Sequence, residues 1–210
     1  MALLALSASD LLDRFASSDP TPGGGSAAAL AGAIAAALVA MVCGMPKTRT
    51  GEPGERIRLD GALADARAAG DQLRRLVDED SAAYDAVVAA YRLPKATDED
   101  EASRKRAVEA AVSVATDVPM RTAEMCLTVL AAAQVAAESG NSNAVSDART
   151  AAALAWAGLK GAAENVRINL GESARASEIG SWIESLEGAA AVMLGGLGLA
   201  PGGAGSGGGR

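Results

Sequence analysis

A chain of 210 residues can bury one well-packed core but is short for two, and with 50% hydrophobic but only 2% aromatic residues that core must be built from Ala, Leu and Val. The net charge of -7 argues against a nucleic-acid partner, whose phosphates need clustered Lys and Arg. With no histidine, Ser-His-Asp and Cys-His nucleophile systems are excluded, a zinc site is not expected, and acid–base work falls to carboxyl groups, Lys, Tyr, Cys or bound water.

Ser7 or Ser9 followed by Asp10 predicts a short helix to about Phe15. The N-terminal stretch has no positively charged region before its apolar run, so no secretory signal is expected. Residues 17–26, SSDPTPGGGS, read as a loop, because two prolines and three glycines oppose helix. Residues 27–43 carry no charge and form a helix ending at Gly44, with Pro46 beyond it. The length approaches a membrane span. However, Ala supplies most of it, Gly32 interrupts it and no Trp or Tyr flanks it, so a buried central helix is expected and no membrane. Cys43 and Cys126 lie in apolar helical stretches and read as buried free thiols, which fits a reducing, cytoplasmic setting.

A second long helix is predicted over 57–91, ending before Pro94. A third opens on the acids at 98–101 and runs to about Ser139, with Pro119 expected to kink or divide it. Gly140 and Asn141 stop it. Helices over 143–170 and 173–194 follow, the last with Ile179, Ile183, Leu186, Ala190 and Met193 on one face. Residues 195–210 form a Gly-rich tail expected to be disordered. The expected fold class is therefore all-α: a single domain over 1–194, a bundle of about six helices around the uncharged Ala-rich helix.

Asp80 is the most informative position. Leu73, Val77, Asp80, Tyr84, Val88 and Tyr91 share one helical face, which puts a carboxylate on an apolar stripe. Burying it is costly unless something compensates. Either it is an ion-paired structural acid, or burial raises its pKa and readies it to donate a proton near neutrality. Asp147 raises the same question. It shares a face with Asn165 and Asn169, a polar seam suited to an amide-rich heterocycle, yet it also fits as an acid complementing a helix dipole. Asn141 and Asn143 fit turn and cap roles. The Gly23, Gly24, Gly25, Ser26 run permits close backbone approach and offers free N–H groups to a ligand, or simply allows tight packing; it lacks the GK[ST] ending of a phosphate loop.

Five blocks in order, PTPGGGSAAALAGAIAAALVAMVC, VDEDSAAYDAVVAAYRLPKAT, the Val118-Pro119 pair, GNSNAVSDA and AAENVRINL, resemble the formimidoyltetrahydrofolate cyclodeaminase and methenyltetrahydrofolate cyclohydrolase family. The likeness spans about residues 11–170. It implies an all-helical homodimer acting on a folate without metal or other cofactor. In the family pattern the second Asp of the VDxDS block is the proposed proton donor, which falls on Asp80, and the SD of the GNxxxxSD block falls on Ser146 and Asp147. Glu79, Ala82 and Tyr84 are modest departures within the DxDSxA[FY] block.

The resemblance makes Asp80 the expected acid/base and Asp147 its electrostatic or orienting partner. Substrate contacts are expected from the glycine run with Ser26, from Ser81, Tyr84 and Lys95, and from Asn141, Asn143, Ser146, Asn165 and Asn169. Lys47, Arg49, Arg92 and Lys95 offer cations to the glutamate carboxylates of a folate, or are ordinary solvated charge. The likeness includes no formimidoyltransferase module, so ammonia release is expected to need formimino-folate from another protein. A non-catalytic helical dimer that binds folate or a partner is the alternative.

Overall fold

The computed structural model describes residues 2–170 and 175–199, and among these it contains α-helices, two short 3-10 turns and no strand. The helices are α1 (Ala8–Ala16), α2 (Gly24–Gly44), α3 (Pro53–Tyr91), α4 (Asp98–Ser139), α5 (Val145–Leu170) and α6 (Ala176–Gly196). Four of them, α2 to α5, close a ring in the order α2, α3, α4, α5, with α2 also touching α4 across the centre. α6 packs on α4 and α5. The all-α, single-domain bundle matches the sequence reading.

Local chemistry sets the helix ends. The Ser7 hydroxyl accepts the Asp10 N–H and starts α1. Pro53 occupies the first turn of α3, where its missing N–H costs nothing. Thr97 and Asp100 form a reciprocal capping box at the start of α4, ahead of four acids that match the dipole. Upstream, the Glu55 carboxylate receives the N–H groups of Thr50 (2.9 Å) and Gly51 (3.1 Å) and closes the turn between α2 and α3.

Two expectations about breakers are corrected. Gly24, Gly25 and Ser26 are the first turn of α2 rather than loop, with Gly23 as N-cap. Pro119 does not divide α4, which runs unbroken through it. A helical proline leaves the carbonyl four residues earlier without its N–H partner. Here that carbonyl, on Ala115, accepts Asn169 Nδ2 from α5 at 2.6 Å. The lost backbone bond is replaced by a tertiary one.

The core is built from small residues, as composition demanded. Leu59, Leu73, Leu76 and Val77 of α3 meet Val39 and Val42 of α2, Val129 and Leu130 of α4, and Leu159 of α5. Close approach depends on glycines. A Cβ on Gly32 would lie 2.6 Å from Cys126 Sγ, and one on Gly158 would lie 2.8 Å from both Cys126 Sγ and the Ala28 carbonyl. α2, α4 and α5 thus converge at Gly32, Cys126 and Gly158. Both cysteines are buried and free, and burial pushes Cys126 up to about 12.

α2 is long and apolar enough to cross a membrane, but its inner face is a core face, with Ala29, Ala35, Val39 and Cys43 fully enclosed. Its outer face keeps Ile34 and Met41 exposed. α6 buries Ile179, Ile183, Ala190 and Leu194, confirming the expected apolar face, and continues two residues past the expected end at Leu194. Leu197 is buried beyond it. The remainder of the Gly-rich segment, 200–210, lies outside the described residues.

Candidate active site

Three consecutive carboxylates on α3 go to three different neighbours. Successive helical residues are turned by about 100°, so neighbours in sequence cannot share a partner. Asp78 accepts the backbone N–H of Leu3 at 2.7 Å. Glu79 pairs with Arg121 of α4 at 2.5 Å. Asp80 faces α2, where the Ser26 hydroxyl donates to its Oδ2 at 3.0 Å.

The first turn of α2 makes this contact possible. A Cβ on Gly25 would sit 2.6 Å from Asp80 Cγ, so the carboxyl group occupies the volume that a side chain at position 25 would take. Burial pushes the Asp80 carboxyl above its usual range, while hydrogen bonds from the Ser26 hydroxyl and backbone N–H pull the other way. No cation contributes to the shift. The compensation sought for a carboxylate on the apolar stripe is thus partial, and the proton is held more tightly than in water.

Asp80 opens into a cavity of about 400 Å³ between α2, α3, α4 and α5. Pro20, Thr21, Gly23, Gly24 and Gly25 form its α2 side, and Ala83, Tyr84, Val87 and Tyr91 continue down α3. Val112 and Ala115 of α4 and Asn165, Ile168 and Asn169 of α5 complete the wall. The apolar stripe of α3 therefore changes role along its length: Leu73 and Val77 are sealed in the core, while Asp80, Tyr84 and Tyr91 face the cavity. Asn165 Nδ2 donates to the Gly161 carbonyl at 2.8 Å and Asn169 Nδ2 to Ala115. Those bonds orient both amides and leave their carbonyl oxygens for a donor-bearing ligand.

Several expected site residues stand elsewhere. Asp147 shares the helical face of Asn165 but lies eighteen residues before it, about 27 Å along the axis at 1.5 Å per residue. Asp147 and Ser146 are in the first turn of α5, outside the cavity. Asn141 Oδ1 accepts the Asn143 N–H at 3.0 Å, the turn role available to it. Lys95 is exposed in the turn between α3 and α4 and does not line the cavity. Ser26 is fully buried and Ser81 does not reach the cavity; the two hydroxyls contact each other at 3.0 Å. Lys47 and Arg49 are beyond the far end of α2, where Arg49 holds the carbonyls of Ala137 and Ser139.

Periodicity missed the far walls. Val112, Ala115 and Ile168 carry no polar signal, and Val87 rather than Val88 turns inward. Arg104 was also unmarked: its guanidinium lies 5.5 Å over the Tyr91 ring and donates to the Tyr91 carbonyl, placing a cation at the cavity end of α3. Among the described residues, no three His, Cys, Asp or Glu side chains converge as metal ligands.

Residues 7–182 match the family described as Formiminotransferase-cyclodeaminase. The chain is 42% identical over 162 residues to the methenyltetrahydrofolate cyclohydrolase of Methylorubrum extorquens, a match covering 75% of this chain and 76% of the relative. It is 32% identical over 149 residues to the formimidoyltransferase-cyclodeaminase of Rattus norvegicus, covering 71% of this chain but 28% of that longer protein. The crystal structure of formiminotetrahydrofolate cyclodeaminase from Thermotoga maritima superposes with a TM-score of 0.76 at 27% identity, over 94% of this chain and 95% of that one. Sequence blocks, bundle and comparisons agree, and the chain belongs to the formiminotransferase-cyclodeaminase family.

Proposed function

We propose that this chain is a one-carbon folate enzyme acting at the carbon that bridges N5 and N10 of tetrahydrofolate, and that its reaction is the hydrolysis of 5,10-methenyltetrahydrofolate. The observation that carries the reading is Asp80: a carboxyl group held against the first turn of α2, its proton affinity raised by burial, at the wall of a cavity of about 400 Å³. The match to the Methylorubrum cyclohydrolase over three-quarters of both chains supports hydrolysis.

The steps follow from the groups present. Water adds to the cationic methenyl carbon and ionised Asp80 takes its proton. The protonated carboxyl then gives that proton to the bridge nitrogen as its C–N bond breaks. It takes up the proton of the added hydroxyl as the formyl C=O forms on the other nitrogen, so one proton is left on Asp80 per turnover. A carboxylate beside a cationic bridge also lowers the energy of the charged species directly. The carbonyl oxygens of Asn165 and Asn169 suit the N–H donors of a pterin, and Tyr84 and Tyr91 offer ring faces. Arg92, Lys95 and Arg104 lie at the Tyr91 end and suit the glutamate carboxylates. No resident cofactor is needed for these steps.

Cyclodeamination is the second reading, supported by the Thermotoga likeness over nearly the whole of both chains. There N10 attacks the formimino carbon and Asp80 protonates the departing ammonia. We further propose a cytoplasmic homodimer, which the exposed apolar outer face of α2, with Ile34 and Met41, would support. Light scattering with an Ile34→Glu variant tests the pairing.

The deciding experiment is an absorbance assay with 5,10-methenyltetrahydrofolate and then 5-formiminotetrahydrofolate, using the protein and its Asp80→Asn variant. Turnover of either folate that disappears in a folded variant is the expected result. Binding of both folates without turnover would leave only the non-catalytic alternative, and full activity of the variant would remove Asp80 from the chemistry.

A further inference from the structure

Asp80 has a second face that the substrate cavity does not use. Its Oδ2 accepts from Ser26 at 3.0 Å, and the Ser26 hydroxyl lies 3.0 Å from the hydroxyl of Ser81. Ser26 is fully buried and belongs to α2; Ser81 follows Asp80 on α3 and is half-buried. Being turned by about 100° from Asp80, Ser81 lines a different cavity, of about 490 Å³. The N-terminal segment covers that second cavity with Leu3 and Arg14, and α3 adds Asp78 and Asp85. Ser26 thus stands between two separate spaces: a substrate cavity behind Asp80 and an outer cavity in front of Ser81.

We propose that Ser81 and Ser26 form a two-hydroxyl proton path that connects Asp80 to solvent in the outer cavity, a deduction that rests on Asp80 acting as the acid/base. Hydrolysis leaves one proton on Asp80 per turnover, and a folate filling the substrate cavity would cover Asp80 on that side, so this proton needs another route out. Each hydroxyl can donate and accept at once, which a chain of proton transfers requires. Discharge runs outward: the Asp80 proton passes to Ser26 oxygen as the Ser26 proton passes to Ser81 oxygen and the Ser81 proton passes to water in the outer cavity, giving hydronium. Every O–H bond broken is matched by one formed, and one proton has moved from the carboxyl to the outer cavity, leaving Asp80 ionised for the next turnover. Asp78 and Asp85 at the outer cavity provide carboxylates that exchange the proton with bulk water.

Ser81 is then a positioning and relay residue that touches no substrate, and this separates it from a binding residue. The test uses the full chain with saturating 5,10-methenyltetrahydrofolate in dilute buffer, comparing wild type, Ser81→Ala, Ser81→Thr and Asp80→Asn. Ser81→Ala is expected to lose about a hundredfold in kcat, the lower end of the range that positioned proton transfer supplies. KM should stay unchanged, small diffusible bases such as formate or imidazole should restore the rate, and Ser81→Thr, which keeps the hydroxyl, should stay near wild type. A loss in Ser81→Ala that Thr shares and no small base restores, or no loss at all, overturns the path. The wild-type enzyme supplies an independent arm needing no variant: kcat plotted against the deuterium fraction of the solvent should bow, because several protons move together, whereas a straight or flat plot overturns the proposal. Asp80→Asn separates the two ideas. If it is inactive while Ser81→Ala is normal, only the path is wrong; if it is active, the acid/base reading itself has failed.

Discussion

The carboxyl group of Asp80 sits where a Cβ of residue 25 would be: a methyl built on Gly25 comes within 2.6 Å of Asp80 Cγ and 2.8 Å of its Oδ2. The fit is between two helices rather than within one loop. Replacing Gly25 by Ala must push α2 from α3 or swing the carboxyl out of place. Gly25→Ala is expected to fold yet lose about a hundredfold in kcat, the scale set by misplacing a reacting group by an ångström. Steady-state kinetics alongside circular dichroism check this, and near-normal kcat would show that the carboxyl has room to move.

Asp80 also predicts a conflict between activity and stability. Its folded pKa is raised above 3.8 by burial, so the folded protein binds this proton more tightly than the unfolded chain does. Stability therefore falls as pH climbs from 3.8 through the folded value and stays reduced above it. Asp80→Asn removes that cost. Its melting temperature at pH 7 should equal or exceed that of wild type, the difference should vanish below pH 3.8, and activity should be lost. A markedly lower melting temperature at pH 7 would mean that the carboxylate is a structural support instead.

Glu55 shows the opposite sign. The Thr48 hydroxyl first, then the Thr50 N–H, and further bonds from the Thr50 hydroxyl and Gly51 N–H, lower its pKa from 4.5 to about 2. Its contribution is fully present above 4.5 and is lost as pH falls toward 2. Glu55→Gln should melt below wild type at pH 7, with the gap closing on acidification. Amide exchange at Thr50 and Gly51 should accelerate in the variant; unchanged exchange would argue that the turn is held without Glu55.

Asn169 and Pro119 are coupled through a carbonyl that belongs to neither. Removing the amide in Asn169→Ala strands the part-buried Ala115 carbonyl, a loss of about 1 kcal/mol, the low end of the scale for an unsatisfied group because the cavity gives it some access to water. Pro119→Ala returns a backbone N–H to that carbonyl, so Asn169→Ala should cost distinctly less in that background. Urea unfolding of the four proteins in a double-mutant cycle measures the coupling. Strict additivity would disprove it.

Much of the fold was legible one helix at a time. The uncharged run of α2, the capping acids of α4 and the apolar face of α6 are local patterns, and local patterns decide where a helix forms and which side it hides. Pro119 shows the limit, because the group that lets α4 pass through it comes from fifty residues away on α5. Asp147 shows another. Periodicity correctly put it on the face of Asn165 but says nothing of distance along the axis, and about 27 Å separates the two.

By itself the sequence determined the helical class, the small-residue core and the anomaly of an acid on the apolar stripe at position 80, because these depend on composition and a 100° turn per residue. Only the tertiary structure decided what surrounds that acid. Which residues wall the cavity, why Gly25 must lack a side chain, and how the hydroxyls of Ser26 and Ser81 join two separate spaces are relations between helices far apart in the chain, and packing alone brings them within reach of one another.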